Sequence, residues 1–308
     1  MAPTAPAPTD PAGSAYDVWF TTDADTFLAR AGEELARDPV TATVVASMAR
    51  RCARHGLPPG VPDAWFAVVS GADGSVAGLA MRTAPFEPWP PYLLAMPDAA
   101  ATALARAVLD RGADVAGVGG LRPAADVFAA AVADATGRHV EVHLHNRLFE
   151  LRTLVDPRPV PGRLRDVRPD EADLALGWIR QFFRDADAQA GRAAGHLTEA
   201  TAFSLDDVQR CIGDGVLWFW VDEDDRPVHL TGANPPAHGV SRIGPVYTPA
   251  VDRGRGWGGA AVAEVCRRLA DRGDRVTLFT DQANPTSNKL YRALGFEPVV
   301  DTVQLAIT

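Results

Sequence analysis

The sequence predicts an α/β protein made of two successive halves of the same plan. Three observations carry this expectation. The chain has 308 residues, enough for two domains at about 150 residues each. The order of periodic segments before residue 152 recurs after residue 163. Between them lies Thr153–Gly162, TLVDPRPVPG, with three prolines and no periodicity, which reads as a linker.

The elements follow in order. Tyr16–Phe20 reads as a short strand, and Asp23–Arg37 as a helix opened by an acidic cap. A second helix, Thr41–His55, stops at Gly56 and the Pro58-Pro59 breaker. Ala64–Ser70 and Ser75–Arg82 form a hairpin about a Gly-Ala-Asp-Gly turn. Helix Asp98–Arg111, strand Val115–Val118, helix Pro123–Ala135 and the long strand His139–Leu151 complete the first half. The second half begins with strand Leu164–Arg168 and helices Pro169–Arg184 and Thr198–Gly213. A hairpin, Val216–Val221 with Pro227–Thr231, leads to strand Ser241–Thr248. A glycine-rich turn then opens a helix reaching Leu269, followed by strand Val276–Asp281, helix Pro285–Leu294 and strand Pro298–Ile307. Each half is expected to run strand, two helices, three strands, helix, strand, helix, strand. Asp110-Arg111-Gly112 and Asp271-Arg272-Gly273 end the corresponding helices. The division is therefore residues 14–152 and 163–308 about the linker 153–162.

Composition excludes several classes. With 47% apolar and 22% charged residues the chain is neither disordered nor collagen-like, and no apolar run approaches the ~20 residues of a membrane helix. Residues 1–13, MAPTAPAPTDPAG, lack a basic region and an apolar core, so a disordered leader is expected rather than a secretory signal. Three cysteines at wide spacing, without CxxC, argue against a disulfide framework or a zinc site and for the cytoplasm. A net charge of −9 lacks the basic stripe of a nucleic-acid binder. It suits a cationic small molecule and equally an ordinary soluble protein. Only Lys289 of the 30 basic residues is lysine, a mark of genomic composition rather than of mechanism.

The stretch most informative about chemistry is Ile243–Ala260. An apolar strand ends at Pro249, and Arg253-Gly254-Arg255-Gly256-Trp257-Gly258-Gly259 opens an alanine-rich helix. Glycines let backbone N–H groups approach an anion, the helix N-terminus adds free donors and partial positive charge, and the arginines can bond phosphate oxygens. This is a diphosphate cradle. Gly254-x-Gly256-x-x-Gly259 also matches the dinucleotide fingerprint, but that fingerprint belongs at the first strand–helix turn of a nucleotide fold. Here only two strands and one helix remain after it.

Arg253-x-x-Gly256-x-Gly258 resembles the Q/R-x-x-G-x-G/A pyrophosphate loop of the GNAT superfamily of acyl-CoA N-acyltransferases. Val246-Tyr247-Thr248 resembles the family's strand-four segment, and Asn284 to Phe296 its N-x-x-A-x-x-L-Y-x-x-L-G-F signature, with Ser287 in place of alanine. The resemblance implies two tandem GNAT-like domains, each a mixed, mostly antiparallel sheet flanked by helices. It implies acetyl-CoA or another short acyl-CoA as co-substrate, no metal, and an amine acceptor, either a small molecule or a peptide. It assigns the cofactor to Val246, Tyr247, Thr248, Arg253, Gly254, Arg255, Gly256, Trp257, Gly258, Gly259, Asn284 and Asn288. Tyr291 is the implied general acid, since a phenol can protonate a leaving thiolate.

Where many relatives carry a glutamate base, this chain has Phe279, so Asp281 on the same strand face, and His229, become the base candidates. Cys266 falls within a helix whose apolar face would bury it, which disfavours an acyl-cysteine route. His139, Glu141, His143 and His145 alternate along one strand and read as a solvated face or a channel lining. Trp218-Phe219-Trp220 reads as hairpin core. The first half has Met96-Pro97-Asp98 where the cradle would lie, without glycine or arginine, and reads as a degenerate partner. The runner-up function is a non-catalytic acyl-CoA sensor or scaffold.

Overall fold

The computed structural model describes residues 15–189 and 203–308; the expected leader and the start of the expected Thr198–Gly213 helix lie outside them. The elements of the first half are β1 (Tyr16–Thr21), α1 (Ala24–Arg37), α2 (Thr43–His55), β2 (Trp65–Gly71), β3 (Val76–Arg82), β4 (Tyr92–Leu93), α3 (Asp98–Asp110), β5 (Gly117–Leu121), α4 (Ala124–Thr136) and β6 (Val140–Leu151). Those of the second are β7 (Arg163–Asp166), α5 (Ala172–Gln189), α6 (Leu205–Gly213), β8 (Leu217–Val221), β9 (Pro227–Ala233), β10 (Val240–Tyr247), α7 (Trp257–Asp271), β11 (Arg275–Asp281), α8 (Pro285–Ala293) and β12 (Phe296–Ile307). Local chemistry sets their ends. Asp23 caps α1 by accepting from the Thr26 amide at 3.0 Å, and Phe27, Ala31 and Leu35 bury one stripe of that helix. Asn284 caps α8 ahead of Pro285, a residue suited to a first turn.

All twelve strands join one sheet in the order β1-β2-β3-β4-β5-β12-β6-β11-β10-β9-β8-β7. Only β4 with β5 and β10 with β11 are parallel. The last strands of the two halves are exchanged. β12 lies between β5 and β6, pairing Thr302–Ala306 with Leu121–Gly117, and β6 lies between β12 and β11, pairing Asn146–Glu150 with Asp281–Thr277. β6 and β12 also pair with each other from Val140↔Ile307 to Leu151↔Phe296. A pseudo-twofold passing between Asn146 and Thr302 relates the halves, so Gly117–Leu121 and Thr277–Asp281 occupy equivalent places.

The helices cover both faces. α3 and α4 pack with Trp65, Ala67, Val303 and Leu305, while α1 and α2 cover Phe66 and Val68 behind. α7 and α8 pack with Ile243 and Leu278, and α5 and α6 with Leu217, Phe219 and Leu230. Trp218 and Trp220 face one cluster and Phe219 the other, as a strand interior requires. The segment 153–162 has neither helix nor strand but is docked. The Trp220 Nε1 donates to the Pro161 carbonyl at 3.0 Å. Gly295, at φ +95°, approaches so closely that a Cβ there would stand 1.8 Å from the Thr153 carbonyl oxygen.

The exchange makes each half's sheet depend on a strand from the other. A fragment of residues 1–152 lacks the strand between β5 and β6, leaving the apolar face of α3 and α4 without Val303, Leu305 and Ile307. Expressed alone it is expected to show no cooperative melting by circular dichroism, and to regain it on mixing with residues 153–308. Cooperative unfolding of either fragment by itself would contradict the exchanged pairing.

Candidate active site

β10 and β11 pair in parallel from Val240↔Arg275 to Ile243↔Leu278 and then part. Past Ile243, β10 shifts register and stays with β9 through Val246 and Tyr247, while β11 stays with β6 through Asp281. Pro245 has no N–H to offer β11. The result is a V-shaped slot whose edges carry backbone groups without a strand partner on the slot side. One edge is Val246-Tyr247-Thr248. The first half has no such slot. Tyr92 and Leu93 stay paired with Gly119 and Gly120, which occupy the places of Phe279 and Thr280. Gly120, at φ +146°, allows that closure, since a Cβ there would stand 2.3 Å from the Leu93 carbonyl oxygen.

The slot opens onto a cleft of about 520 Å³, lined by Val246–Thr248, the loop Asp252–Gly259, Asn284 and Tyr291, and by Phe182 and Asp185 of α5. Gly256, at φ +85°, is the residue from which α7 starts, and Gly254 has φ +79°. The linker floors this loop: a Cβ on Gly256 would stand 3.0 Å from Val160, and one on Gly259 3.8 Å from Pro157. Arg253 donates through Nε to the Thr248 carbonyl at 3.0 Å and pairs across the cleft with Asp185. Arg255 lies 5.1 Å over the Trp257 ring. Beneath them Asp252 is buried, and Arg226 from the β8–β9 turn holds both its oxygens at 3.1 and 3.3 Å. Asp185, Asp252 and Arg226 escape the sequence reading. The only sequence signal for Asp252 is its place just before Arg253.

Tyr291 is buried with its ring edge-on to Phe296, centroids 5.9 Å apart. Burial pushes its phenol well above the ordinary value, so it keeps its proton at neutral pH. Asn284 lines the cleft while its Oδ1 accepts from the Ser287 amide at 3.1 Å and its Nδ2 donates to Gln189 at 2.9 Å. Two expected site residues lie elsewhere. Asn288 is not in the cleft wall; its Nδ2 donates to the Asn284 and Asp281 carbonyls at 2.7 and 3.0 Å and so braces the β11–α8 turn. Asp281 lines a second cleft of about 420 Å³ with Arg122, His143 and His145, and accepts from the Ala283 amide at 2.8 Å.

His229 is at the cleft but sealed. Its Nδ1 meets Thr248 Oγ1 at 2.7 Å and its Nε2 meets Thr231 Oγ1 at 2.8 Å, leaving neither nitrogen for an acceptor amine. A Cβ on Gly258 would stand 3.4 Å from its ring, so it lies directly beneath the first turn of α7. Burial pushes its imidazole down to about 3. His229 thus positions Thr248 as a neutral ring. Cys266 is fully buried and its thiol pushed up to about 12, which suits packing rather than nucleophilic attack. Among the described residues no group of three or more His, Cys, Asp or Glu is arranged to hold a metal, and no helix is long and apolar enough to cross a membrane.

The buried imidazole makes stability pH-dependent. Below about pH 6.5 an unfolded chain protonates His229 while the folded chain does not until about pH 3. Its contribution to stability is complete above 6.5 and falls by up to about 1.4 kcal/mol per pH unit below it. Denaturant titrations at pH 7 and pH 4 should therefore show a wild-type advantage over His229→Gln that shrinks at the lower pH. An advantage that stays constant would contradict a neutral, sealed imidazole.

Residues 236–305 match the family model described as FR47-like protein. No curated protein matches the chain. Among solved structures, a GCN5-related N-acetyltransferase from Sphaerobacter thermophilus is similar at 18% identity, over 95% of this chain and 96% of that one, with a TM-score of 0.57. A GNAT-family acetyltransferase from Colwellia psychrerythraea is similar at 12% identity, over 95% and 100%, with a TM-score of 0.56. A tandem GNAT protein from the clavulanic acid biosynthesis pathway is similar at 17% identity, over 94% and 98%, with a TM-score of 0.53. The chain has the GNAT fold in tandem, with the FR47-like match falling on the half that carries the open slot.

Proposed function

We propose that the second half binds acetyl-CoA, or another short acyl-CoA, and transfers the acyl group directly to an amine. The observation that carries this reading is the slot between β10 and β11, which joins the glycine loop at one end to Tyr291. Acetyl-CoA would supply an acyl thioester. The residues fit it. Gly254, Gly256, Gly258 and the first turn of α7 present backbone without side chains to a diphosphate, and Arg253 and Arg255 supply charge. The free edge of β10 at Val246–Thr248 would align the pantetheine arm and polarise the acyl carbonyl through a backbone N–H. Asn284 would hold the arm's amides. Tyr291 keeps a proton on its phenol oxygen that would pass to the departing thiolate as the C–S bond breaks, and the proton lost by the attacking amine would return the phenol to its starting state through water. Arg253 uses Nε for the Thr248 carbonyl and one terminal nitrogen for Asp185, which leaves its other terminal nitrogen for phosphate.

Phe279 favours a second reading, an acyl-CoA-binding sensor. It packs beside Leu148 and Val240 and offers no base. Release of free CoA against a panel of amines distinguishes the two, since a sensor binds acyl-CoA without turnover.

Two variants test the first reading. Tyr291→Phe is expected to lower kcat by ~10²–10⁴-fold with acyl-CoA affinity nearly unchanged; wild-type turnover would reduce Tyr291 to packing. Gly258→Val is expected to abolish CoA binding in calorimetry while far-ultraviolet circular dichroism is retained, because its methyl groups crowd His229 and Thr248 and so displace the slot edge from the first turn of α7. Undiminished affinity in the folded variant would remove the cradle from the site.

A further inference from the structure

Arg242 stands out among the arginines. It lies on β10 one residue before the slot opens. Ile243 packs into the cluster beneath α7, so Arg242 points to the opposite face of the sheet. There α2 of the first half crosses over, and the Arg242 guanidinium reaches Ser47 Oγ at only 3.5 Å. Arg147 is matched by Asp301 at 2.6 and 2.9 Å and Arg165 by Glu171 at 2.7 Å, while the buried Arg82 donates to the Trp89 and Asp114 carbonyls at 3.0 and 2.9 Å. Among the described residues no carboxylate pairs with Arg242. Burial pushes it down to about 10, so it is still a cation at neutral pH, and the group that interacts with it is Tyr92.

Tyr92 comes from β4, in the other half, and its buried phenol oxygen has no hydrogen-bond partner. The buried Nε2 of His238, in the turn entering β10, is likewise without one. Of the arginines nearby on α2, Arg50 acts on His238 and Arg51 is matched by Asp207 at 2.7 Å. A half-buried cation without a carboxylate partner, beside a buried O–H without one, leaves a place for an anion.

The location says which anion. Val240, two residues before Arg242 on the same face, packs in one cluster with Phe279, the first β11 residue beyond the β10 pairing. Arg242 thus stands at the base of the slot, on the face away from the glycine loop. If the second half transfers an acyl group, CoA occupies the α7 side and the acceptor must approach from this one. We propose that Arg242, with Tyr92 and Ser47 from the first half, binds a carboxylate carried by the acceptor, so that the substrate is an amino acid or a similar amino carboxylate. The first half would then form one wall of the acceptor site.

This inference rests on the acyl-transfer reading, and the test separates the two. Wild type, Arg242→Met, Arg242→Lys and Tyr92→Phe are assayed for CoA release with alanine, β-alanine and γ-aminobutyrate, each beside its carboxamide. The same compounds are screened by thermal shift in saturating CoA. In wild type the acids should exceed the amides about 100-fold in kcat/KM through KM. Arg242→Met should erase that preference by bringing kcat/KM on the acids down to that on the amides, and Arg242→Lys should restore part of it. Tyr92→Phe should weaken it. Without ligand, Arg242→Met should melt at or above the wild-type temperature, because a half-buried charge without a carboxylate partner is gone; a structural arginine would give the reverse. Acids and amides treated alike by wild type in both assays, or a preference that survives Arg242→Met, would overturn the carboxylate site while leaving acyl transfer standing. Arg242-dependent stabilisation by the acids without CoA release from any amine would support the site and overturn acyl transfer.

Discussion

Past Ile243 the backbone of β10 cannot serve two neighbours, and the site depends on that divergence. Gly232 and Gly244 lie so close that a Cβ on Gly232 would stand 3.1 Å from the Gly244 carbonyl oxygen, which holds β10 against β9. Pro245, with no amide hydrogen, cannot donate to a neighbouring strand, and its ring lies against Gly232 of β9. β11 is meanwhile kept in line by β6. The slot is therefore held open from both sides, by β9 on one edge and by an exchanged strand on the other. The glycine loop, the N-terminus of α7 and Tyr291 are arranged about a gap that neither edge can close.

The halves share a plan and differ where a ligand would enter. β4 is two residues long and stays on β5 because Gly120 admits the Leu93 backbone. In the same half α3 starts from Pro97 with Asp98 in its first turn, and Met96 fills the space over Gly78, where a Cβ would stand 2.6 Å from the Met96 Cβ. Asp98 at a helix start would repel a diphosphate. What the first half retains is its support of the other half. β6 flanks β11, and α2 reaches across to Asp207 and Arg242. The site of the second half is thus framed by backbone and side chains from the first.

Much of this was legible in the residues. Periodicity placed the long helices and the hairpins within a few residues, because their buried stripes and caps are local. The glycine loop and the Asn284-to-Phe296 segment were legible because their chemistry is contiguous in sequence. β4 was expected from the shared plan but not placed, since two residues among prolines carry no period. The strand exchange was not legible, because the order of elements is the same whichever half the sixth strand joins. Asp281 shares a face with Phe279 and so resembled a base; it is the last paired residue of β11, opposite Asn146, and lines the second cleft with His143 and His145. The pairing of Arg253 with Asp185 and of Asp252 with Arg226 joins residues distant in the chain, which no local pattern reports. The expected linker was legible as irregular, but its docking beneath Gly256 depends on Pro157 and Val160 finding the loop in space.

The central claim is one acyl-CoA slot per chain, open in the second half and closed in the first. Titration calorimetry of the full chain with CoA tests it most directly. One site per chain is the predicted result, and a stoichiometry near two would contradict the account.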